Sequence, residues 1–111
     1  MDCIFCRIAA GDIPADVVYE DEVIMAFRDL APQAPVHVLI IPKTHIASLD
    51  DAGGHGELLG YIMQKIHVIA GMLGLKSGYR VVNNCGEDAL QTVKHIHFHL
   101  LGGRKMGWPP G

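Results

Sequence analysis

The chain has 111 residues, which is the size of one domain with one hydrophobic core. Hydrophobic residues make up 50% and charged residues 19%, and the formal net charge is -3, so the composition is typical of a soluble globular protein and not of a nucleic-acid-binding one. The start lacks the features of a signal peptide, and no apolar run approaches the ~18 residues of a membrane span. We expect one cytoplasmic domain over residues 1–111, without membrane or nucleic-acid partners.

The apolar pattern predicts, in chain order, a short helix, a hairpin, a central strand, a long helix and two further strands. The predicted ranges are 3–10 for the short helix, 17–20 and 23–28 for the hairpin, 36–41 for the central strand, 57–73 for the long helix, and 79–84 and 95–101 for the last strands. This order predicts an α+β fold, an antiparallel five-stranded sheet with both helices on one side. A dimer that continues the sheet or packs helices would protect its edge strands.

Three histidines alternate with apolar residues in the last predicted strand, which reads His-Ile-His-Phe-His over residues 95–99. Side chains alternate between the faces of a strand, so His95, His97 and His99 would share one face. Four roles are compatible with such a row: a solvated polar face, a metal site, nucleophilic catalysis and a pH switch.

The residues around the histidine row favour catalysis at phosphorus. One imidazole can attack phosphorus while its neighbour delivers a proton to the leaving group. Gln91 and Thr92 lie just upstream, and Asn84 ends the preceding predicted strand. A hydroxyl, an amide and backbone N–H groups together form a plausible cradle for a phosphate.

Residues 91–101, Gln-Thr-Val-Lys-His-Ile-His-Phe-His-Leu-Leu, resemble the signature of the histidine-triad (HIT) nucleotide hydrolases and transferases. Further motifs, such as Pro-Lys-x-His at 42–45 and Trp-Pro-Pro-Gly at 108–111, extend the resemblance to nearly the whole chain and are similar to the Hint branch, the purine nucleoside phosphoramidases. The resemblance implies a HIT-like homodimer with a ten-stranded sheet, in which the tail 102–111 contributes to the active site. It also implies hydrolysis of purine nucleoside 5′-phosphoramidates to the nucleoside monophosphate and an amine.

The resemblance also implies roles for individual residues. His97 matches the nucleophile that forms a nucleotidyl-imidazole, His99 matches the histidine at the phosphate and leaving group, and His95 and His45 match a supporting hydrogen-bond relay. The matching substrate-binding positions are Asp29 with Leu30 at the ribose, Phe5 and Phe27 at the base, Asn84, Gln91 and Thr92 near the phosphate, and Trp108 in the partner's active site. The chain has Ala89-Leu90 where the branch commonly has Gly-Gly.

Structural readings stay open for several of these positions. Phe5 and Phe27 have the composition of core residues, Asp29 that of a loop cap, and Asn84 that of an Asx turn. Two other functions also stay open, a dinucleoside polyphosphate hydrolase and a catalytically idle nucleotide-binding module. The Trp-Pro-Pro-Gly tail and the presence of the central histidine favour the phosphoramidase.

Cys3 and Cys6 have the two-residue spacing of a zinc half-site, but no second half-site of the same kind follows. From spacing alone they are two reduced thiols or two metal ligands. The resemblance to bacterial members with this N-terminal pair implies a structural zinc held by Cys3, Cys6, His45 and His95. The chemistry itself would require no cofactor, and Cys85 reads as an ordinary thiol.

Overall fold

The computed structural model describes residues 3–111, which form two helices, a 3₁₀ turn and five strands. In chain order these are α1 (Ile4–Ala9), β1 (Val17–Glu20), β2 (Ile24–Arg28), β3 (Val36–Pro42), the 3₁₀ turn (Leu49–Asp51), α2 (Gly56–Met72), β4 (Tyr79–Val82) and β5 (Phe98–Gly102). The predicted α+β class and its five strands are confirmed. No helix within residues 3–111 combines the length and the apolar character needed to cross a membrane.

The strands over residues 3–111 form one antiparallel sheet in the order β1-β2-β3-β5-β4. The central strand β3 is buried along nearly its whole length, because both faces of the sheet are covered there. One face packs against Ile62, Ile66 and Ile69 of α2, and the other packs against Phe5 and Ile8 of α1. The sheet therefore has two apolar cores.

The prediction that both helices lie on one side of the sheet is wrong, because α1 and α2 cover opposite faces. Strand β2 sends Ile24 and Ala26 into the core under α2, and Met25 and Phe27 into the core under α1. Both sets are apolar, so each face of the sheet needs its own cover. The short helix α1 gives the second face that cover.

The strands that carry the histidine row and Asn84 are shorter than predicted. Strand β5 begins at Phe98 rather than at residue 95, and β4 ends at Val82 rather than at residue 84. The segment before β5 is held by other hydrogen bonds: the Ile96 N–H donates to the Ile46 carbonyl at 2.7 Å, and Asn83 Nδ2 donates to the His97 carbonyl at 2.9 Å. The histidine row therefore crosses the start of a strand.

Asp21 connects the turn between β1 and β2 to helix α2. Its Oδ1 accepts from the N–H groups of Val23 and Ile24, and its Oδ2 accepts from the hydroxyls of Tyr19 at 2.8 Å and Tyr61 at 2.5 Å. Burial alone would raise the pKa of the carboxyl, but these hydrogen bonds favour the charged form and lower the pKa to about 2. The same bond to Asp21 raises the pKa of Tyr61 to about 12.

We expect Asp21→Asn to lower the free energy of unfolding at pH 7 by on the order of 1 kcal/mol, because the amide cannot accept all four hydrogen bonds. The pKa of Asp21 is lowered from 3.8 to about 2 on folding, so its stabilisation is present above pH 3.8 and is lost as the pH falls towards 2. Denaturant unfolding between pH 7 and pH 2 measures both effects. Asp12→Asn, at an exposed position, is the control, and an equal loss in both variants would contradict this role.

Candidate active site and metal centre

The three histidines form a row of neighbouring rings on the face of the sheet that α1 covers. The ring centroids of His97 and His99 are 5.2 Å apart, and the edge of Phe5 meets His97 at 5.1 Å and His95 at 6.0 Å. The intervening Ile96 and Phe98 enter the core under α2. The predicted alternation of imidazole and apolar faces is confirmed, although the segment is only partly a strand.

The hydrogen bonds of His97 determine which ring nitrogen carries its proton. Nδ1 of this buried ring lies 2.7 Å from the carbonyl oxygen of His95. A carbonyl oxygen only accepts, so Nδ1 carries the hydrogen and Nε2 of the neutral ring has a free lone pair. An imidazole in this tautomer has its nucleophilic nitrogen directed away from its own backbone.

His99 has the opposite tautomer, because His37 donates to it. The backbone N–H of Gln33 donates to His37 Nδ1 at 3.0 Å, so His37 Nε2 carries the hydrogen and donates to His99 Nδ1 at 2.8 Å. This leaves the Nε2–H of His99 as a free donor. Burial, reinforced by the neighbouring His97 and His37, lowers the pKa of His99 to about 4, so the ring is neutral at pH 7.

His37 and Asn83 contact the row directly, although the sequence did not predict them as site residues. His37 is a single polar residue within the apolar strand β3, and it is buried. A lone histidine in such a strand was the available signal, because a buried imidazole needs a polar partner. Burial lowers the pKa of His37, and Asp29, whose Oδ2 lies 3.5 Å from His37 Nε2, opposes this shift.

The predicted base residues lie within the core under α1, and the predicted ribose residues directly follow β2. Asp29 Oδ1 accepts the Ala31 N–H at 2.8 Å, which is the loop-capping contact considered from the sequence, while Oδ2 faces His37. Leu30 beside it is 100% exposed. Phe5 and Phe27 are buried edge to face with centroids 5.6 Å apart in the core under α1.

The loop between β4 and the histidine row is organised by Gln91. Its Oε1 accepts the Gly86 N–H, and its Nε2 donates to the carbonyls of Ala47 at 2.7 Å and Val93 at 3.0 Å. The side-chain amide of Gln91 is therefore committed to holding the loop. Leu90 has a φ of 61°, a left-handed conformation that favours glycine, at a position where the Hint branch commonly has Gly.

The remaining predicted residues lie at the ends of this loop and in the tail. Asn84 is half-buried just after β4, and Thr92 is exposed. Trp108 is 82% exposed and contacts the Arg80 guanidinium, 5.8 Å from its ring centroid, while Arg80 Nη2 donates to the Gly107 carbonyl at 2.9 Å. Within one chain the tail therefore lies against β4 at the edge of the sheet.

Cys3, Cys6, His45 and His95 converge, as the resemblance implied, with all four ligand atoms within 4.8 Å of one another. Cys3 Sγ lies 3.3 Å from His95 Nδ1, Cys6 Sγ lies 3.3 Å from His45 Nδ1, and the two Nδ1 atoms are 3.2 Å apart. Tetrahedral zinc with Zn–S of ~2.3 Å and Zn–N of ~2.0 Å holds its ligand atoms roughly 3.3–3.8 Å apart. The spacing of the cluster therefore fits zinc.

The hydrogen bond of His95 also fits metal binding. Its Nε2 lies 2.8 Å from the Pro42 carbonyl and so carries the hydrogen, which leaves the Nδ1 lone pair directed at both sulfurs and at His45. One lone pair cannot serve three partners by hydrogen bonding, whereas a metal ion between them satisfies all four groups. The residues form a closed set of two sulfurs and two nitrogens, which is typical of a structural zinc site.

The fold and the site together define a class of small α+β proteins that carry a histidine row on one face of an antiparallel sheet. The family model of the HIT domain matches residues 10–106. The chain belongs to the HIT family.

Its relatives include proteins of similar length. A HIT-like protein of Synechococcus elongatus is 54% identical over 111 residues, covering 99% of this chain and 97% of the relative. A 14 kDa zinc-binding protein of Zea mays is 52% identical over 113 residues, covering 97% of this chain and 87% of the relative. The crystal structure of a HIT family hydrolase from Legionella pneumophila matches with a TM-score of 0.97 and 54% identity, covering 99% of this chain and 100% of the other.

We expect the protein purified under reducing conditions without chelator to contain about one zinc per chain. Cys3→Ser removes a ligand but keeps the helix cap, because serine can also accept the Cys6 N–H. This variant should lose the metal and unfold at a lower temperature, whereas the matched control Cys85→Ser should retain it. Elemental analysis and thermal unfolding measure this, and full zinc content in Cys3→Ser would contradict the site.

Proposed function

We propose that this protein hydrolyses purine nucleoside 5′-phosphoramidates to the nucleoside monophosphate and an amine, through a nucleotidyl intermediate on His97. The observation that carries the proposal is the pair of opposite tautomers in adjacent rings. His97 offers a lone pair at its Nε2, and His99 offers an N–H group at its own Nε2. A nucleophile beside a hydrogen-bond donor is what displacement at phosphorus requires.

In the first step His97 Nε2 attacks the phosphorus and the bond from phosphorus to the amine breaks. The Nε2–H of His99 donates a hydrogen bond to the phosphoryl oxygens, where negative charge develops, and the departing nitrogen takes a proton from solvent, to which the water of the second step later returns one. In the second step water attacks the same phosphorus and the bond to His97 breaks. Over both steps one water is consumed: its oxygen stays on phosphorus, and one of its hydrogens ends on the amine.

His37 and Asn83 act in this proposal as positioning residues. His37 holds the tautomer of His99 by donating to its Nδ1, and Asn83 holds the His97 backbone through its carbonyl. When bound, zinc would be held by Cys3, Cys6, His45 and His95 and would supply structural support beside the nucleophile. No chemical step passes through it.

Substrate recognition in the proposal uses the residues that the family resemblance implies. The Asp29 carboxylate accepts the ribose hydroxyls with the exposed Leu30 beside it, and the Phe5 and Phe27 region provides the apolar surface for the base. Asn84 and Thr92 donate to the phosphate near the start of the row. The description of the Legionella relative as a hydrolase supports a hydrolytic outcome.

We expect His97→Ala to lower turnover of an adenosine 5′-phosphoramidate by at least about 10³-fold, because it removes the nucleophile, while AMP still binds. The control is His67→Ala, an exposed histidine on α2. A fluorogenic phosphoramidate and diadenosine polyphosphates are assayed in parallel. Unchanged turnover in His97→Ala would refute the mechanism, preferred cleavage of the polyphosphates would refute the substrate class, and no cleavage of either would favour a nucleotide-binding module.

We also propose that two chains form a homodimer by joining their sheets through β4. This edge strand leaves one row of backbone groups unpaired within residues 3–111 and carries the partly exposed side chains of Tyr79 and Val81. The exposed Trp108 lies against the same strand through Arg80. A dimer across this edge would bring the tail of one chain towards the active site of the other.

We expect wild type to be a dimer and Val81→Lys to be a monomer, because two like charges would face each other at the joined edge. Val17→Lys introduces the same charge on β1, the opposite edge strand, and should leave the dimer intact. Sedimentation velocity distinguishes these states. A monomeric wild type would contradict the dimer, and dissociation only in Val17→Lys would place the interface on β1.

A further inference from the structure

A basic cleft lies where the start of β4 meets the C-terminal tail. It is distinct from the histidine row and from the Cys/His cluster. It has a volume of about 660 Å³ and runs between the turn that joins α2 to β4 and the segment that follows β5. Its walls are residues 74–80 and 103–106. The side chains that give the basic cleft its charge are Lys76, Arg80, Arg104 and Lys105.

These four side chains are unusual in a chain whose formal net charge is -3. They are four of its nine lysines and arginines, and no Asp or Glu among residues 3–111 lines the basic cleft. Of the five lysines and arginines elsewhere, two lie close to a carboxylate: Arg28 is 3.6 Å from an Asp16 oxygen and Lys43 is 2.7 Å from a Glu20 oxygen. The basic cleft therefore gathers positive charge without an acidic lining.

The arginines of the basic cleft are held in place by neutral groups. Arg104 donates from Nε and Nη2 to the Gln33 carbonyl and from Nη1 to the Lys105 carbonyl. Arg80 donates to the Gly107 carbonyl and contacts Trp108. These contacts fix the guanidinium groups but leave their charge uncompensated, and such a preorganised site binds an anion at a lower entropic cost.

The two walls are also packed tightly against each other. A Cβ added at Gly102 would lie 2.6 Å from Leu75 Cδ2, so the end of β5 meets the turn after α2 without space for a side chain. Gly103 has a φ of +90°, and a Cβ there would lie 2.9 Å from the Pro35 Cβ. The end of β5 therefore packs closely against Leu75 of the opposite wall, and Gly103 packs closely against Pro35.

We propose that the basic cleft binds a small multivalent phosphate anion at a site separate from the histidine row. Fixed guanidinium groups suit the oxygens of phosphate, and lysines add point charges. The cleft also contains Ser77, whose hydroxyl can donate to the same ligand. Its volume is that of a small-molecule site, and the negative net charge disfavours a long nucleic acid.

The proposal does not depend on the phosphoramidase chemistry, and its test uses inorganic triphosphate on the full-length protein. Calorimetry measures the affinity at low salt, and amide NMR shifts locate the ligand. The variant Lys76→Gln/Lys105→Gln removes two exposed charges and should weaken binding about tenfold. The matched control Arg28→Gln/Lys43→Gln makes the same change in net charge and should bind as wild type does.

We expect the shifts to fall on residues 76–80 and 104–106 and to persist in His97→Ala, and we expect the affinity to fall as salt is added. Equal weakening in both double variants would overturn the proposal, because it would indicate attraction by net charge alone. Shifts confined to the histidine row would overturn it as well. So would tighter binding of a single-stranded oligonucleotide, or protection of the basic cleft by the second chain of a dimer.

Discussion

The site depends on the contacts of His95, because this residue makes contacts through three of its groups at once: both ring nitrogens and its backbone carbonyl. Its Nε2–H donates to the Pro42 carbonyl at the end of β3, its Nδ1 faces both cysteines and His45, and its own carbonyl accepts the Nδ1–H of His97. The first contact determines the second, since a ring protonated at Nε2 has its lone pair at Nδ1. The third determines the tautomer of His97. A metal bound to His95 would therefore support the backbone that orients the proposed nucleophile.

The double-sided sheet explains how such a small domain holds these groups together. Helix α2 fills one core, and this leaves the opposite face to the short helix α1, which brings the cysteines and Phe5 to the histidine row. A six-residue helix has little stability by itself. Packing of its apolar side chains on β2 and β3 supports it, and zinc held by Cys3 and Cys6 would pin it to the start of β5. Fold and metal centre therefore stabilise each other.

The histidine row and the basic cleft differ in charge. Burial lowers the pKa of His37 and His99, so these two rings offer hydrogen bonds and lone pairs rather than fixed positive charge at pH 7. The basic cleft has the opposite character, because it gathers four cationic side chains that are exposed or half-buried. The two sites therefore suit the different tasks proposed for them, displacement at phosphorus in one and electrostatic capture of an anion in the other.

The local alternation of apolar and polar side chains was enough to predict the five strands, the two helices and the face that the three imidazoles share. The Cys-x-x-Cys pair and the motifs of the histidine row also indicated the family before any contact was known. Only the tertiary structure decided that α1 covers the second face, that His37 supports His99 from 62 residues away, and that Cys3 meets His95 across 92 residues. It also decided the ring tautomers and gathered Lys76 and Lys105 into one cleft. The reason is physical: burial patterns are local, whereas hydrogen-bond partners and clustered charges depend on how distant strands and loops are brought side by side.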